Sequence, residues 1–190
     1  MTKPEFRKRY LEKRKSLTET ECLHYNQQLY HLFFTHFDLS FIKVLHLYLP
    51  LEKNKEPDTW QILDRIRREF PHIRISIPRV NNQTSDLENF YFEGLHEIAP
   101  NTWGIPEPKQ GIPTRSSEID LVLIPLLVFD EHGNRVGYGK GFYDRFLKQC
   151  RKDCRKVGLS FFEPVEQITD VNEFDVKMDA CITPSKVYTF

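Results

Sequence analysis

The sequence predicts an α/β fold: a single-domain, three-layer sandwich with a mostly parallel central sheet and helices on both faces. Three observations predict it. Segments with apolar residues at helical spacing alternate along the chain with short runs rich in β-branched and aromatic residues. The most apolar run, Leu121–Val128, lacks the in–out alternation of a half-exposed strand, so both of its faces must be covered. A chain of 190 residues can close one sizeable core, at most with a small appendage.

The elements follow in order. Lys3 to Lys15 reads as a short basic helix ending near Ser16, with Phe6 and Tyr10 on one side and Lys3, Arg7 and Arg14 recurring at near-helical intervals. Thr18 and Glu21 form a capping-box pattern for a longer helix whose buried stripe is Cys22, Leu29, Leu32, Phe33 and Phe37. Ile42–Leu49 suits a buried strand stopped by Pro50. Asp58 caps a helix from Thr59 to Phe70 that faces Ile62, Leu63, Ile66 and Phe70 inward, and Pro71 ends it. Ile73–Val80 is a second strand and Phe90–Phe92 a third. The proline-rich segment from Pro100 to Pro113 is an ordered loop around Trp103. Leu121–Val128 is the central strand and leads into a turn at Asp130–Gly133. A helix runs from Phe142 to Cys150, a strand from Val157 to Phe162, and a final strand from Ala180 to Thr183.

Bulk properties exclude several classes. Lysine plus arginine and aspartate plus glutamate balance at 27 each, so no global field favours nucleic acid or an anionic membrane. The apolar runs are too short or too interrupted to span a bilayer, and the basic N-terminus has no apolar signal core, so a cytoplasmic protein is expected. The four cysteines have no paired metal-ligand spacing and read as reduced thiols. The seven histidines show no ligand spacing either. A monomer binding small molecules, without nucleic acid or membrane, is the expectation.

Chemistry concentrates in Arg135-Val136-Gly137-Tyr138-Gly139-Lys140-Gly141-Phe142-Tyr143-Asp144. Three alternating glycines let backbone N–H groups approach phosphate oxygens, and a helix beginning at the end of the loop adds its positive dipole end. Arg135 and Lys140 supply charge, and Asp144 suits a hard cation such as magnesium. The stretch is not a Walker loop, because Asn134 stands where the first glycine belongs and Gly141 follows the lysine. Nor is it a dinucleotide fingerprint, whose third glycine is replaced by Phe142. A plain surface turn needs neither three alternate glycines nor flanking cations.

These residues resemble the 5-formyltetrahydrofolate cyclo-ligase (methenyltetrahydrofolate synthetase) family. The resemblance covers most of the chain, and its strongest part is Leu123-Ile124-Pro125-Leu126-Leu127-Val128-Phe129-Asp130 with Arg135 and the run Gly137 to Arg145. Weaker matches follow in the same order as in the family: Lys3 and Arg7, Tyr48-Leu49 with Glu56, Trp103 to Pro108, and Asp175-Val176-Lys177-Met178-Asp179.

The resemblance implies ATP- and Mg2+-dependent closure of 5-formyltetrahydrofolate to 5,10-methenyltetrahydrofolate. It assigns ATP to Lys3, Arg7 and the loop from Arg135 to Tyr143, with Lys140, Arg135 and Tyr143 at the reacting groups. It assigns the reduced folate to Leu51, Glu56, Trp103 and the loop residues Tyr138 to Phe142, and the metal to Asp144 and Asp175. Asp179 competes with Asp175 for that role. Trp103 fits equally a pocket wall or a buried core, and Tyr143 either contacts the ligand or packs under the loop. On charge alone Lys3, Arg7, Arg14 and Lys15 make a solvated basic helix; the resemblance lifts Lys3 and Arg7 out of that reading and leaves Arg14 and Lys15 in it. The competing functions are another ATP-dependent small-molecule ligase or kinase, and a non-catalytic nucleotide- or RNA-binding protein using the basic first helix.

Overall fold

The computed structural model describes Met1–Phe190 in full. Helix α1 (Lys3–Lys15) starts at a reciprocal cap between Thr2 and Glu5, with Pro4 in its first turn and three cations in its last. Helix α2 (Glu19–His36) starts at the predicted box, where Thr18 N–H donates to Glu21 Oε2 at 2.7 Å and Glu21 N–H donates to Thr18 Oγ1 at 3.2 Å. Strand β1 (Val44–His46) is shorter than the predicted span, and Tyr48 to Pro50 run on as buried extended chain outside the sheet. Helix α3 (Trp60–Glu69) opens where Trp60 N–H donates to Asp58 Oδ1 at 2.8 Å, and buries Ile62, Leu63 and Ile66.

Strands β2 (Arg74–Val80) and β3 (Leu87–Tyr91) pair antiparallel. The proline-rich segment carries more order than a loop: β4 (Ile98–Pro100) and β5 (Pro106–Pro108) form a small ribbon around Trp103. The predicted central strand divides in two. Strand β6 (Leu121–Pro125) stays in the main sheet, and Pro125, which has no N–H to donate, ends it. Strand β7 (Val128–Phe129) then pairs with β8 (Arg135–Val136) in a separate hairpin. Buried Asp130 fixes that hairpin, accepting from His132 N–H at 3.0 Å, Asn134 N–H at 2.9 Å and Ile168 N–H at 3.2 Å.

Helix α4 (Phe142–Gln149) follows the glycine loop, and β9 (Arg155–Leu159), β10 (Ala180–Ile182) and β11 (Val187–Thr189) complete the chain. The last of these is an antiparallel strand that the sequence reading missed. Seven strands form one sheet in the order β11-β10-β9-β6-β1-β2-β3, parallel from β10 to β2 and antiparallel at both edges.

Helices cover both faces, unequally. Leu45, Leu121, Leu123 and Val157 pack in one core with Phe6, Tyr10, Phe33 and Ile66 from α1, α2 and α3. Val44, Val122 and Ile124 pack against Phe146 and Leu147 of α4 on the other face. Chain order reverses between β1 and β6, the position where a parallel sheet opens a crevice at its carboxyl ends. No helix is long and apolar enough to cross a membrane, and all four cysteines are free thiols.

Candidate functional site

A cavity of about 500 Å³ opens at that crevice, bounded by Pro125 at the end of β6, by Tyr48 and Leu49 after β1, and by Pro78 and Val80 of β2. The glycine loop forms one end. Gly139 (φ +90°) and Gly141 (φ +68°) occupy left-handed conformations that other residues rarely adopt, and Gly141 leads directly into α4. A Cβ on Gly139 would stand 2.9 Å from Arg7 Cζ, so the bare backbone there lets the guanidinium lie against the loop. Gly137 differs: its φ is ordinary and nothing lies within 4 Å of where its Cβ would be, which leaves open space beside the loop backbone.

Helix α1 brings its cations to the same end. Arg7 Nε–H donates to the Gly137 carbonyl at 2.9 Å, and Lys3 Nζ pairs with Asp175 Oδ2. Lys140 is exposed at the cavity edge and makes no ion pair. Arg135, read from the sequence as a phosphate partner, is 5% exposed and already engaged: it donates to Asp144 Oδ1 at 2.8 Å and to the Val176 carbonyl. Val136 does not line the cavity; its side chain is in the core and its carbonyl accepts from Leu127 N–H at 2.8 Å.

Two carboxylates face this end. Asp144 Oδ1 also accepts from Val176 N–H at 3.0 Å, which ties the Asp175 segment to α4, and Asp175 Oδ2 accepts from Asn172 N–H at 2.7 Å. Their other oxygens, Asp144 Oδ2 and Asp175 Oδ1, accept no hydrogen bond. Asp179 is elsewhere, just before β10, accepting from Lys156 N–H of β9 at 2.7 Å and pairing with Lys156 Nζ at 2.9 Å. No group of three or more His, Cys, Asp or Glu side chains gathers into a protein-only metal site. Magnesium needs none where substrate phosphates complete its shell, so two carboxylates with one free oxygen each fit that ion.

The other end is mainly apolar. Leu51, Trp103 and Ile105 line it with Glu56. Trp103 is 43% exposed, which makes it a wall of the cavity rather than a core residue. Lys53 Nζ donates to the Trp103 carbonyl at 2.7 Å and so ties the ribbon to the loop after β1. Glu56 Oε2 accepts from Leu51 N–H at 2.6 Å. Burial pushes the Glu56 carboxyl above the usual range, opposed by hydrogen bonds from the Tyr138 hydroxyl and Leu51 N–H and by the Arg14 charge.

Phe142 and Tyr143 both line the cavity, and Tyr143 also packs beneath the loop, its ring against His46 and Phe146 and its hydroxyl enclosed without a partner. Arg14 departs from the sequence reading. It is 3% exposed, not solvated, and donates to the Leu126 carbonyl at 3.2 Å and to the Tyr138 hydroxyl. The i, i+4, i+11 spacing of Lys3, Arg7 and Arg14 carried that signal, because it sets all three on one helix face within about 40°. Asn54 and Glu107 also line the cavity; Asn54 sits in no patterned segment, and Glu107 lies within the Trp103–Pro108 match, which implies no role for it.

Comparison with known proteins adds independent findings. Residues 1–184 match the 5-formyltetrahydrofolate cyclo-ligase family. The 5-formyltetrahydrofolate cyclo-ligase of Mycoplasma genitalium is 30% identical over 189 residues, covering 94% of this chain and 97% of its own. The match spans about half the length of the Schizosaccharomyces pombe and Mus musculus relatives, 54% and 56% respectively. The structure of a 5,10-methenyltetrahydrofolate synthetase from Mycoplasma pneumoniae superposes with a TM-score of 0.77 at 26% identity, covering 96% of this chain and 98% of the other. That of an Aquifex aeolicus protein shares the fold, with a TM-score of 0.82 at 24% identity, covering 100% of this chain and 93% of the other.

Proposed function

This chain belongs to the 5-formyltetrahydrofolate cyclo-ligase family, and from that premise we propose that it closes 5-formyltetrahydrofolate to 5,10-methenyltetrahydrofolate, consuming ATP with Mg2+ and releasing ADP and phosphate. The observation that carries this reading is the two-ended cavity. Cations, glycine backbone and two carboxylates meet at one end, while apolar walls and Glu56 meet at the other. The first end suits an oligophosphate, and the second suits a flat ring whose edge carries N–H donors.

The chemistry asks little of side chains as reactants. The formyl oxygen attacks the γ-phosphorus, the bond from that phosphorus to the bridging oxygen of ADP breaks, and ADP leaves. The formyl carbon then carries a good leaving group in place of an amide oxygen. Nitrogen 10 of the same folate attacks that carbon, the carbon–oxygen bond breaks, and phosphate departs with the nitrogen's proton. Because both reacting groups sit on one molecule, the protein's work is orientation and stabilisation of phosphoryl charge.

Lys3, Arg7 and Lys140 would neutralise the phosphates, and the N–H groups of the glycine loop would cradle them. Asp144 and Asp175 would hold magnesium, which supplies charge compensation when bound. Arg135 would act on the phosphates through Asp144, whose orientation it fixes. Glu56 would accept N–H donors of the pterin, with Leu51 and Trp103 against its faces. We read residues 1–190 as one such domain, working as a cytoplasmic monomer.

ADP release tests the reading. The purified chain with ATP and magnesium should release ADP only when 5-formyltetrahydrofolate is added; equal release without it would indicate a different ligase or kinase.

A further inference from the structure

Helix α1 reaches both ends of the cavity. Lys3 and Arg7 serve the glycine-loop end, and on the same helix face, two turns beyond Arg7, Arg14 is driven into the protein behind the acidic end. Burying an arginine costs several kcal/mol unless its donors find partners. The partners of Arg14 are specific: the carbonyl that follows the central strand and the hydroxyl of Tyr138 in the glycine loop. That hydroxyl also lies against Glu56, close enough to lower the acid's pKa, and Glu56 accepts a hydrogen bond from Leu51 N–H at 2.6 Å.

We propose that Arg14 is a positioning residue for substrate recognition: acting through the Tyr138 hydroxyl, it holds Glu56 as a charged acceptor for the N–H donors of the bound ring. A carboxylate offers about four acceptor sites; Leu51 N–H uses one and the Tyr138 hydroxyl lies beside another. Glu56 lines the cavity, so its remaining acceptor sites are open to a ligand edge with adjacent N–H groups. A protonated Glu56 would present a donor to those donors and lose the match. The groups that face Glu56 are Arg14 from α1, Tyr48 from beyond β1, Tyr138 from the glycine loop and Tyr143 from α4. Arg14 is the single cation among them, and its charge favours the ionised acid. Burial raises Tyr138, and so keeps its hydroxyl protonated and able to donate.

The arrangement also links the two ends. Tyr138 carries the relay and stands between Gly137, which Arg7 holds, and Gly139, against which Arg7 packs. The Lys55 ammonium meanwhile donates to the Lys15 and Leu17 carbonyls, fastening the Glu56 loop to the end of the same helix. One helix therefore fixes the distance between phosphate end and ring end.

The proposal rests on Glu56 facing the folate, and two measurements on Arg14→Met, Arg14→Lys and Tyr138→Phe separate it from that reading. The first is the pH profile of kcat/KM for 5-formyltetrahydrofolate, with KM for ATP beside it. In Arg14→Met and Tyr138→Phe the acid limb moves to higher pH and KM for the folate rises about ten- to hundredfold near neutrality, the factor a charge-assisted hydrogen bond supplies. Activity recovers toward wild type above the displaced limb, KM for ATP stays within about twofold, and Arg14→Lys restores part of the loss. The second is carbon-13 NMR titration of the Glu56 carboxyl in ligand-free protein, which moves upward in both deletion variants. A loss uniform across pH with an unmoved Glu56 titration would make Arg14 a staple of the fold and overturn the proposal. If Arg14→Met does not fold, Tyr138→Phe alone decides. If wild-type protein does not turn over the folate, the functional reading fails, and the Glu56 titration still decides whether Arg14 sets its charge.

Discussion

Arg135 donates from Nη2 to Asp144 Oδ1 at 2.8 Å while its side chain is only 5% exposed, and its other terminal nitrogen donates to the Val176 carbonyl. One guanidinium thus joins the glycine loop, the first turn of α4 and the segment that carries Asp175.

Removing that guanidinium leaves Asp144 without its ion partner and the Val176 carbonyl without its donor. A largely buried pair broken on one side costs about 3 kcal/mol, reduced somewhat here because Asp144 is 27% exposed. Arg135→Ala should lower the thermal midpoint by several degrees and weaken ATP turnover more than Lys140→Gly does, since Lys140 holds nothing in place. Melting curves and ATP titrations of the two variants check this ranking, and a larger loss at Lys140 reverses it.

Asp175 and Asp179 flank one short turn but have different surroundings. Asp175 faces the cavity with one free oxygen, while Asp179, just before β10, is paired with Lys156 of β9. Asp175→Ala should raise the magnesium concentration needed for half-maximal activity by about tenfold or more, and Asp179→Ala should leave it within about twofold. Activity measured across a magnesium titration decides between them.

The glycines should not respond alike to a methyl group. Gly139→Ala meets both a left-handed backbone and Arg7 Cζ at 2.9 Å, so it should destabilise by about 1–2 kcal/mol and raise KM for ATP. Gly137→Ala meets no atom within 4 Å and should leave the fold nearly as stable as wild type. Denaturant unfolding of each variant gives the comparison, and equal losses would show that the loop conformation is not what Gly139 supplies.

His46 should govern part of the acid sensitivity. It is fully buried under α4 with neither ring nitrogen hydrogen-bonded, and burial depresses its pKa from the ordinary 6.5 to about 3. In the unfolded chain it takes up a proton near pH 6.5, so between pH 6.5 and 3 the unfolded state binds more protons and stability falls as pH falls. Each unit of that difference is worth about 1.4 kcal/mol, giving several kcal/mol across the window. His46→Gln should flatten stability against pH between 6.5 and 3; an unchanged slope would place the acid sensitivity elsewhere.

Periodicity and composition located most elements, because Leu121–Val128 and the α3 stripe carry patterns that only one kind of packing satisfies. The missed features depend on contacts the sequence does not write locally. Val187–Thr189 is too short and polar to announce itself, and becomes a strand only because β10 offers an edge. The β4–β5 ribbon was hidden by its prolines, which edge pairing tolerates. Within the site, the glycine loop was legible because two of its glycines need their backbone freedom. The destination of Arg14 was not legible. Its spacing matched Lys3 and Arg7, but whether a cation on that face meets solvent or a tyrosine hydroxyl is decided by the loop packed above it.

The most direct test of the account mixes the purified chain with 5-formyltetrahydrofolate, ATP and magnesium and follows the near-ultraviolet absorbance of the methenyl product alongside ADP. The account predicts a rise in absorbance with one ADP formed per product and none without ATP. No rise with any divalent cation, or ADP formed with no methenyl product, would contradict it.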